Sequence, residues 1–287
     1  MEQERIKENS LIFLVLDSKR RWLVQVQKNE EFQTHKGIVD LNELIGKPFG
    51  SVVFSKPYDK QGYKFIALKP YPSDYVLYMS RRTQIIYPED AGLILMYSGI
   101  CPGSIVLEAG CGSGALTCIL ASYIRPYGRV YSFDMNIHSV NKARKNISNL
   151  GLEEFVSIQK ANILEDRLPI KEVDSIVLDM PQPWEAIGPI EGYLKLGGSI
   201  VSFSPTIEQV KKTFFALKKN NFFEINSYEL LKRELQVKAN ATRPQTRMVG
   251  HTGYITFGRK IENIENPYIG KKPEKEEFVS FEGMPLR

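Results

Sequence analysis

The segment SIVLEAGCGSGALT, residues 104–117, decides the fold. It begins as an apolar run typical of a buried strand, continues through Gly110, Gly112 and Gly114, and ends in the apolar helical pattern ALTCILASYI. A strand, a tight glycine turn and a helix in this order form the opening unit of an open parallel sheet. Because ligands of such sheets bind beyond the carboxyl ends of the strands, the glycine loop is predicted to be a binding site.

The same alternation continues downstream. The predicted strands are GRVYSFD, FVSIQKA, VDSIVLD and GSIVSFSP, and the predicted helices are HSVNKARKNISNLG, WEAIGPIEGYLKL and TIEQVKKTFFALKKN. Two final strands, FFEINSYELL and HTGYITFGR, have no helix between them. This pattern predicts an α/β protein with a mostly parallel sheet, helices on both faces and an antiparallel pair at one edge.

Four regions are predicted along the chain. Residues 1–78 hold short punctuated segments (LIFLVLD, RRWLVQVQ, FIALKPY, YVLYM) that predict a small barrel-like or meandering β domain. Residues 79–103 are predicted to be a linker with a helix from about Pro88 to Tyr97. Residues 104–260 form the α/β domain, and residues 261–287 are predicted to be a polar, loosely docked tail.

Composition limits the class of protein. The formal net charge of +5 over 287 residues permits a polyanionic partner without requiring one. Cys101, Cys111 and Cys118 have no nearby histidine and match no zinc spacing, which predicts free thiols in a reducing compartment and no metal. The polar start and the lack of an apolar run of about 18 residues predict a soluble cytoplasmic protein with no membrane partner.

The glycine loop alone does not identify its ligand. Gly110, Gly112 and Ala115 satisfy the dinucleotide pattern G-x-G-x-x-A, yet a tight strand-to-helix turn needs the same glycines. Glu108 would oppose a pyrophosphate and suits an ammonium or sulfonium group instead. S-adenosylmethionine carries both groups, and its carboxylate would accept the loop N–H groups of Ser113, Gly114, Ala115 and Leu116.

Polar residues also end the next two strands. Asp134 is placed to accept hydrogen bonds from both ribose hydroxyls, although NAD would use it equally and an ordinary helix cap is the alternative. Asn162 and Ile163 follow the third strand, where the adenine is expected, and Asn162 as a plain turn residue remains an alternative.

The fourth strand ends in VLDMPQPW, residues 177–184. Asp179 and the prolines after it resemble the segment that amino-group methyltransferases place at this position, where an exocyclic amine must be oriented by acceptors and prolines fix the carbonyls that help to do so. For methylation at adenine N1, Asp179 would accept from the N6 amine and relieve the positive charge that develops on the base. Asp179 is therefore the predicted catalytic residue, Pro181 a predicted substrate contact, and Trp184 is interpreted as packing.

Four segments, RRTQIIYPED (81–90), VLEAGCGSGALT (106–117), VLDMPQPW (177–184) and TRPQTRMVGHTGYITF (242–257), together resemble the tRNA (adenine-N1)-methyltransferase family of the T loop, especially its archaeal branch. The resemblance implies a class I S-adenosylmethionine-dependent methyltransferase fold, a small N-terminal β-barrel-like domain, a homotetramer, and methylation of adenine 58 and in some archaeal members adenine 57. It implies that Asp179 is the catalytic acid and Asp134 the ribose-binding acid. It places Gln84, Ile86 and Tyr87 beside cofactor and base, and His251 and Thr252 near the target nucleotide.

Some residues depart from the family pattern, and other functions stay open. Asn162 stands where the family commonly has aspartate, and Asp134 where many members have glutamate. His251 as a strand-start residue and Tyr87 as a packing residue are the structural alternatives. The competing functions are methylation of another substrate such as an isoaspartyl carboxylate, a non-catalytic tRNA-binding paralogue, and an NAD oxidoreductase, which Glu108 disfavours. ATRPQTRMVGHT, residues 241–252, is the segment predicted to contact tRNA phosphates.

Overall fold

The computed structural model describes residues 3–56, 62–81 and 84–262. The N-terminal part is a small antiparallel β domain. Its strands are β1 (Leu11–Val15), β2 (Arg21–Gln25), β3 (Glu31–Thr34), β4 (Gly37–Asp40), β5 (Ser51–Phe54) and β6 (Lys64–Leu68). Four of them form a sheet in the order β2-β1-β6-β5, and β3 and β4 form a separate hairpin. Ile12, Leu14 and Phe65 are fully buried in its core.

The expected strand at residues 75–79 is wrong. Residues 75–78 lie in helix α1 (Pro72–Tyr78) and Met79 is its C-cap. Pro72 occupies the first turn, and the Asp74 carboxylate accepts a hydrogen bond from the Tyr71 N–H at 2.8 Å. A proline with its φ preset for a helix and an acid three residues after the cap outweigh the β propensity of the tyrosines and Val76. Helix α2 (Pro88–Ser98) lies where it was expected and ends at Gly99 in the left-handed conformation.

The remaining residues build the predicted α/β domain. Its elements in chain order are β7 (Ile105–Ala109), α3 (Ala115–Ile124), β8 (Arg129–Asp134), α4 (Ile137–Asn149), β9 (Val156–Lys160), β10 (Val173–Leu178), α5 (Pro183–Glu191), β11 (Leu194–Ser204), α6 (Ile207–Lys219), β12 (Phe222–Glu229), β13 (Leu235–Gln236), β14 (Arg243–Pro244) and β15 (Tyr254–Lys260). Seven strands pair in the order β12-β15-β11-β10-β7-β8-β9. Only β15 runs against its neighbours, so the expected antiparallel edge is confirmed.

Two apolar layers hold the helices on opposite faces of this sheet. One layer includes Ile94 of α2, Leu120 of α3 and Ile147 of α4, and the other includes Ile187 of α5 and Leu217 of α6. Helix α5 is shorter than predicted: it ends at Glu191, and Leu194 already pairs with Val173 in the sheet.

Chain order and sheet order diverge at β7. The chain runs outward from β7 to β8 and β9, then returns to the other side of β7 for β10. Such a switch opens a cleft at the carboxyl ends of the two central strands. None of the helices in the described residues is long and apolar enough to cross a membrane. The predicted tail lies, except for residues 261 and 262, outside the described residues.

Candidate functional site

Three carboxylates lie at the switch point. Glu108 is in β7, Asp134 ends β8, and Asp179 directly follows β10. Because neighbouring parallel strands end at the same edge of a sheet, the structure brings together these three acids, which the sequence separates by 71 positions. Asp134 and Asp179 border the cleft together with the glycine loop, residues 110–114, and Glu108 is buried beside them.

Gly110 lets the loop and the fourth strand approach each other. Its φ is +93°, and a Cβ on this residue would lie 1.8 Å from the carbonyl oxygen of Asp179. The Asp179 N–H donates to the Ala109 carbonyl at 2.8 Å. The main chain therefore fixes where Asp179 leaves the sheet, and only glycine fits opposite it.

Asp134 is held by main-chain donors. Its Oδ2 accepts from the Gly112 N–H at 3.1 Å, and its Oδ1 accepts from the Asn136 N–H at 2.8 Å. The helix cap itself is Asn136, whose side chain accepts from the His138 N–H. Asp134 is thus not the cap of α4, and its partly exposed carboxylate is fixed at the edge of the cleft.

Glu108 is almost completely buried. Its Oε2 accepts from the hydroxyls of Ser132 at 2.5 Å and Thr117 at 2.6 Å. Burial raises the pKa of Glu108 to about 7, with repulsion from Asp179 and Asp134 adding to it and the two hydroxyls opposing it. These hydroxyl partners were not identified from the sequence.

Asp179 has a similarly raised pKa of about 7, mainly because protein surrounds the carboxyl group and secondly because Asp134 repels its charge. The side chain nevertheless keeps some exposure to the cleft. A carboxylate that is costly to ionise and still accessible is typical of a functional site.

The residues present fit S-adenosylmethionine. Three crowded carboxylates favour a cationic ligand and oppose a pyrophosphate. The Ser113 hydroxyl is buried and has no hydrogen-bond partner in the described part of the chain, so it is available to a bound carboxylate. Ala115 and Leu116 bury their side chains in the core, so only their main-chain groups are suited to a ligand.

Asn146 supports the loop from behind and was missed by the sequence reasoning. Its side-chain NH₂ donates to the carbonyl oxygens of Ser113 at 2.8 Å and Ser80 at 3.1 Å. One buried amide on α4 therefore ties the glycine loop to the linker before α2. Nothing in the local pattern distinguishes this asparagine from others on the helix.

Asn162 belongs to a tight turn. Its Oδ1 accepts from the Leu164 N–H at 3.1 Å, and its own N–H donates to Asp166 at 2.8 Å. These contacts favour the turn-residue interpretation for the oxygen, while a contact with adenine stays a prediction. Ile163 beside it is buried.

The predicted substrate residues occupy different environments. Gln84 and Pro181 are exposed, Tyr87 is the partly buried cap residue of α2, and Ile86 is buried in the core. Trp184 lies beneath Lys212, whose Nζ is 4.7 Å from the centre of the indole ring. Arg82 and Thr83, within the first resembling segment, lie outside the described residues.

His251 and Thr252 follow residues 230–250, a segment that contains β13 and β14 and that we call the arm. Both ring nitrogens of His251 are engaged, Nδ1 with Glu229 at 2.8 Å and Nε2 with the Pro205 carbonyl at 3.0 Å. The Thr252 hydroxyl is buried and unpartnered within the described ranges.

Near Pro205, the Gln209 side chain donates to the Pro181 carbonyl at 2.9 Å. Gln209 was missed, although T-x-x-Q at residues 206–209 is a recognisable capping pattern.

Within residues 3–56, 62–81 and 84–262, no group of three or more histidine, cysteine, aspartate or glutamate side chains is arranged to hold a metal ion.

Comparison with known families gives two matches along the chain. Residues 62–243 match the model described as "tRNA methyltransferase complex GCD14 subunit", and residues 14–53 match the model described as "TrmI-like N-terminal". A relative from Methanocaldococcus jannaschii, named tRNA (adenine(57)-N(1)/adenine(58)-N(1))-methyltransferase TrmI, is 34% identical over 272 residues, which cover 86% of this chain and 94% of that protein.

Two solved structures are similar over most of the chain. One, described as an S-adenosylmethionine-dependent O-methyltransferase from Thermotoga maritima, has a TM-score of 0.82 at 32% identity and covers 90% of this chain and 96% of its own. The other, the tRNA methyltransferase TrmI from Aquifex aeolicus, has a TM-score of 0.75 at 26% identity, with 90% and 100% covered. The class I methyltransferase fold is therefore confirmed, and so is the resemblance found in the four sequence segments.

Proposed function

Because the chain belongs to the tRNA (adenine-N1)-methyltransferase family represented by TrmI and GCD14, we propose that it transfers a methyl group from S-adenosylmethionine to N1 of adenine 58 in the T loop of tRNA. Adenine 57 is the second candidate position, because the name of the Methanocaldococcus relative includes it. The observation that carries the proposal is the elbow, residues 179–183, in which an acid followed by prolines faces a cluster suited to a cationic cofactor.

The cofactor residues act by charge and by main-chain donors. Glu108 and Asp134 favour a cationic adenosyl ligand, and Asp134 accepts from the ribose hydroxyls. The N–H groups of Ser113, Ala115 and Leu116 bind the ligand carboxylate at the start of α3, whereas the Gly114 N–H donates to the Cys111 carbonyl at 2.7 Å and shapes the loop. Gly110 and Gly112 keep the loop backbone close to the ligand. Asn162 borders the adenosyl group together with the main chain of Ile163 and Ile86, whose side chains are buried in the core. When bound, S-adenosylmethionine supplies a methyl group on a positively charged sulfur.

Asp179 is the proposed catalytic residue. It accepts a hydrogen bond from the N6 amine of the target adenine, which orients N1 toward the methyl group and stabilises the positive charge that develops on the base. A protonated carboxyl group could still accept this hydrogen bond, but only the ionised carboxylate stabilises the developing positive charge. Because the pKa of Asp179 is raised to about 7, the rate of transfer is expected to increase as the pH rises through that value.

The substrate residues surround this acid. Pro181 fixes the carbonyls beside Asp179, Gln84 and Tyr87 flank the base, and Tyr87 stacks on it. His251 and Thr252 lie on the segment beside the target nucleotide. The exposed Arg243 and Arg247 of the arm are suited to contact tRNA phosphates.

The test is methyl transfer from labelled S-adenosylmethionine to unmodified tRNA, followed by mapping of the modified nucleoside. The wild-type protein is expected to produce 1-methyladenosine at position 58. Asp179→Ala should retain the fold and cofactor binding but lower the rate by roughly 100-fold or more, whereas Asp17→Ala, on the small domain, should behave as wild type.

Two results would contradict the proposal. The Thermotoga neighbour is described as an O-methyltransferase, and a methylated oxygen in place of 1-methyladenosine would assign that chemistry here. A wild-type rate in Asp179→Ala would remove the assigned role of the acid.

We also propose a homotetramer, which the family resemblance implies. Large apolar side chains are exposed along the arm, namely Leu231, Leu235, Val237, Met248 and Val249. Such a concentration on one region supports assembly through the arm. Light scattering of the purified protein should give about four chain masses, and a monomer would contradict this proposal.

A further inference from the structure

Two sets of hydrogen bonds, joined by the peptide bond between Pro205 and Thr206, connect distant parts of the chain to the elbow. The first runs from Glu229 through His251 to the carbonyl of Pro205, and the second from the adjacent Thr206 through Gln209 to the carbonyl of Pro181. We call this set of residues the brace. It connects β12, the segment before β15 and the start of α6 to the main chain two residues after Asp179.

The partners of His251 determine its protonation. A backbone carbonyl only accepts hydrogen bonds, and an ionised carboxylate only accepts them. Nδ1 faces the Glu229 carboxylate at 2.8 Å and Nε2 faces the Pro205 carbonyl at 3.0 Å, so both contacts are hydrogen bonds only when both nitrogens carry a proton. The ring that satisfies both contacts is therefore an imidazolium cation.

The charges around His251 agree with this assignment. Glu229 contacts it from β12, buried Asp90 of α2 carries a negative charge nearby when ionised, and the ring of Tyr254 in β15 lies 4.7 Å away between centroids. Lys232 is paired with Glu89 at 3.0 Å. The Pro205 carbonyl first and Glu229 second raise the pKa of His251 above its usual value.

The partners of Gln209 determine its orientation in the same way. The Thr206 N–H is a donor, so the atom that faces it at 3.1 Å must be the amide oxygen. The nitrogen then points to the Pro181 carbonyl at 2.9 Å. Gln209 thus caps α6 with its oxygen and holds the elbow with its nitrogen.

Gly253 allows the histidine to reach Pro205. A Cβ at this position would lie 2.2 Å from the ring of Phe203. With glycine there, the segment packs closely on β11, directly before the Pro205 turn. The close contact with Phe203 is enough to explain why residue 253 is a glycine, and no role of Gly253 in ligand binding is needed.

We propose that protonated His251 is a positioning residue for methyl transfer, acting through Gln209 on the elbow rather than through direct contact with tRNA. The inference rests on the proposed function and changes the role expected for His251 from a substrate contact to a support. When His251 loses a proton, one ring nitrogen becomes an acceptor opposite another acceptor, and the brace loosens. Asp179 then stabilises the positive charge that develops on the adenine less well, so loosening of the brace lowers kcat.

Two isosteric substitutions separate the contacts of His251. Glutamine places its NH₂ near the position of Nε2 and retains a donor for Pro205, whereas asparagine places its NH₂ near Nδ1 and retains only the contact with Glu229. We expect His251→Gln to keep kcat within about 3-fold of wild type and His251→Asn to lower it about 10-fold or more. The KM for tRNA should change less than 2-fold in both. His35→Asn, in the β3–β4 hairpin, is the control.

Gln209→Glu tests the other end of the brace. A glutamate retains the acceptor for the Thr206 N–H, so α6 stays capped, but it places an oxygen against the Pro181 carbonyl. We expect kcat to fall about 10-fold with unchanged affinity for S-adenosylmethionine and an unchanged melting temperature, whereas Gln33→Glu in β3 should be neutral.

The pH profile distinguishes the brace from an ordinary structural role. Wild-type kcat should fall at high pH, as the raised pKa of His251 is passed, and His251→Gln should lack this decline. The inference is overturned if His251→Asn and Gln209→Glu keep wild-type kcat, if their losses appear in the KM for tRNA, or if the high-pH decline persists in His251→Gln. Failure of the proposed function is a separate result, in which the wild-type protein makes no 1-methyladenosine under any condition.

Discussion

The two sides of the cleft are built differently. On the cofactor side, the glycine loop and the ends of β7 and β8 come from one continuous stretch of about 30 residues, and main-chain groups make many of the contacts. On the substrate side, the elbow is held by side chains that are distant along the chain: Gln209 is 28 positions from Pro181, and His251 is 46 positions from Pro205.

Because of this difference, the cofactor side is a rigid binding surface, whereas the geometry of the substrate side can change. A site made of main-chain groups has one geometry, because the backbone cannot change without disturbing the sheet. A site held by an imidazolium and an amide can loosen when one proton leaves. We therefore expect changes on the cofactor side to affect stability and cofactor affinity. On the substrate side, we expect changes in the brace to affect turnover and changes in the arm to affect tRNA binding.

The largest effect is expected where the two sides touch. Gly110→Ala places a Cβ 1.8 Å from the Asp179 carbonyl oxygen and strains a backbone with φ of +93°. The atoms nearest to this Cβ all belong to the main chain of Asp179, so the clash is relieved only if the elbow moves. We expect a loss of at least about 3 kcal/mol in the free energy of unfolding and no detectable methyl transfer. Urea denaturation measures the first quantity.

Gly99→Ala is the matched control for backbone strain. Its φ is +67°, and a Cβ there would have no heavy atom within 4 Å. The strain of the left-handed conformation alone should cost about 1–2 kcal/mol. If both variants lose the same free energy, the contact between loop and elbow is not tight, and the two sides of the cleft are independent.

A smaller effect is expected for the charge of Glu108. Glu108→Gln removes a negative charge but retains an acceptor for one hydroxyl. Since the pKa of Glu108 is about 7, the wild-type side chain is ionised at pH 8 and mostly neutral at pH 6. We expect calorimetry to show affinity for S-adenosylmethionine about 10-fold weaker in the variant at pH 8, with the difference closing at pH 6. An equal loss of affinity at both pH values would show that the negative charge of Glu108 does not contribute to cofactor binding.

The same carboxyl group links stability to pH. Its pKa is about 7 in the folded ligand-free protein and near 4.5 when unfolded, so the folded state binds more protons between these values. The free energy of unfolding should therefore decrease as the pH rises from about 5 to 8. Glu108→Gln should show a smaller decrease, since one of the carboxyl groups with a raised pKa has been removed.

The features that could be predicted from the sequence lie mostly in local patterns, and those that could not are contacts between distant segments. Glycine spacing and strand ends are local patterns, so the loop, Glu108, Asp134 and Asp179 could be located and the structure brings them together. The prediction for residues 75–79 failed because a short apolar segment suits a strand or a helix equally, and Pro72 decided between them.

Contacts across the sheet could not be predicted. Asn146, Gln209 and Glu229 are ordinary polar residues in their own helices and strand, and they gain meaning only from partners brought near by the fold. His251 was found as part of a motif, but its two acceptor partners come from β12 and from the turn before α6. No pattern within a single element distinguishes a residue that touches a ligand from one that supports the residue that does.

The smallest effect is expected at the exposed arm, where the substrate side meets solvent. Arg243 is exposed in β14, and its charge would act on tRNA phosphates through released counterions. Arg243→Gln should weaken tRNA binding a few-fold at moderate salt and reduce the slope of log affinity against log salt concentration by about one. Neither kcat nor affinity for S-adenosylmethionine should change, because the arm is not part of the brace. Lys28→Gln in the small domain also removes one exposed positive charge and should leave the slope unaltered. An equal reduction in both variants would mean that tRNA senses only the net charge of the protein, and the arm would then have no distinct place on the substrate side.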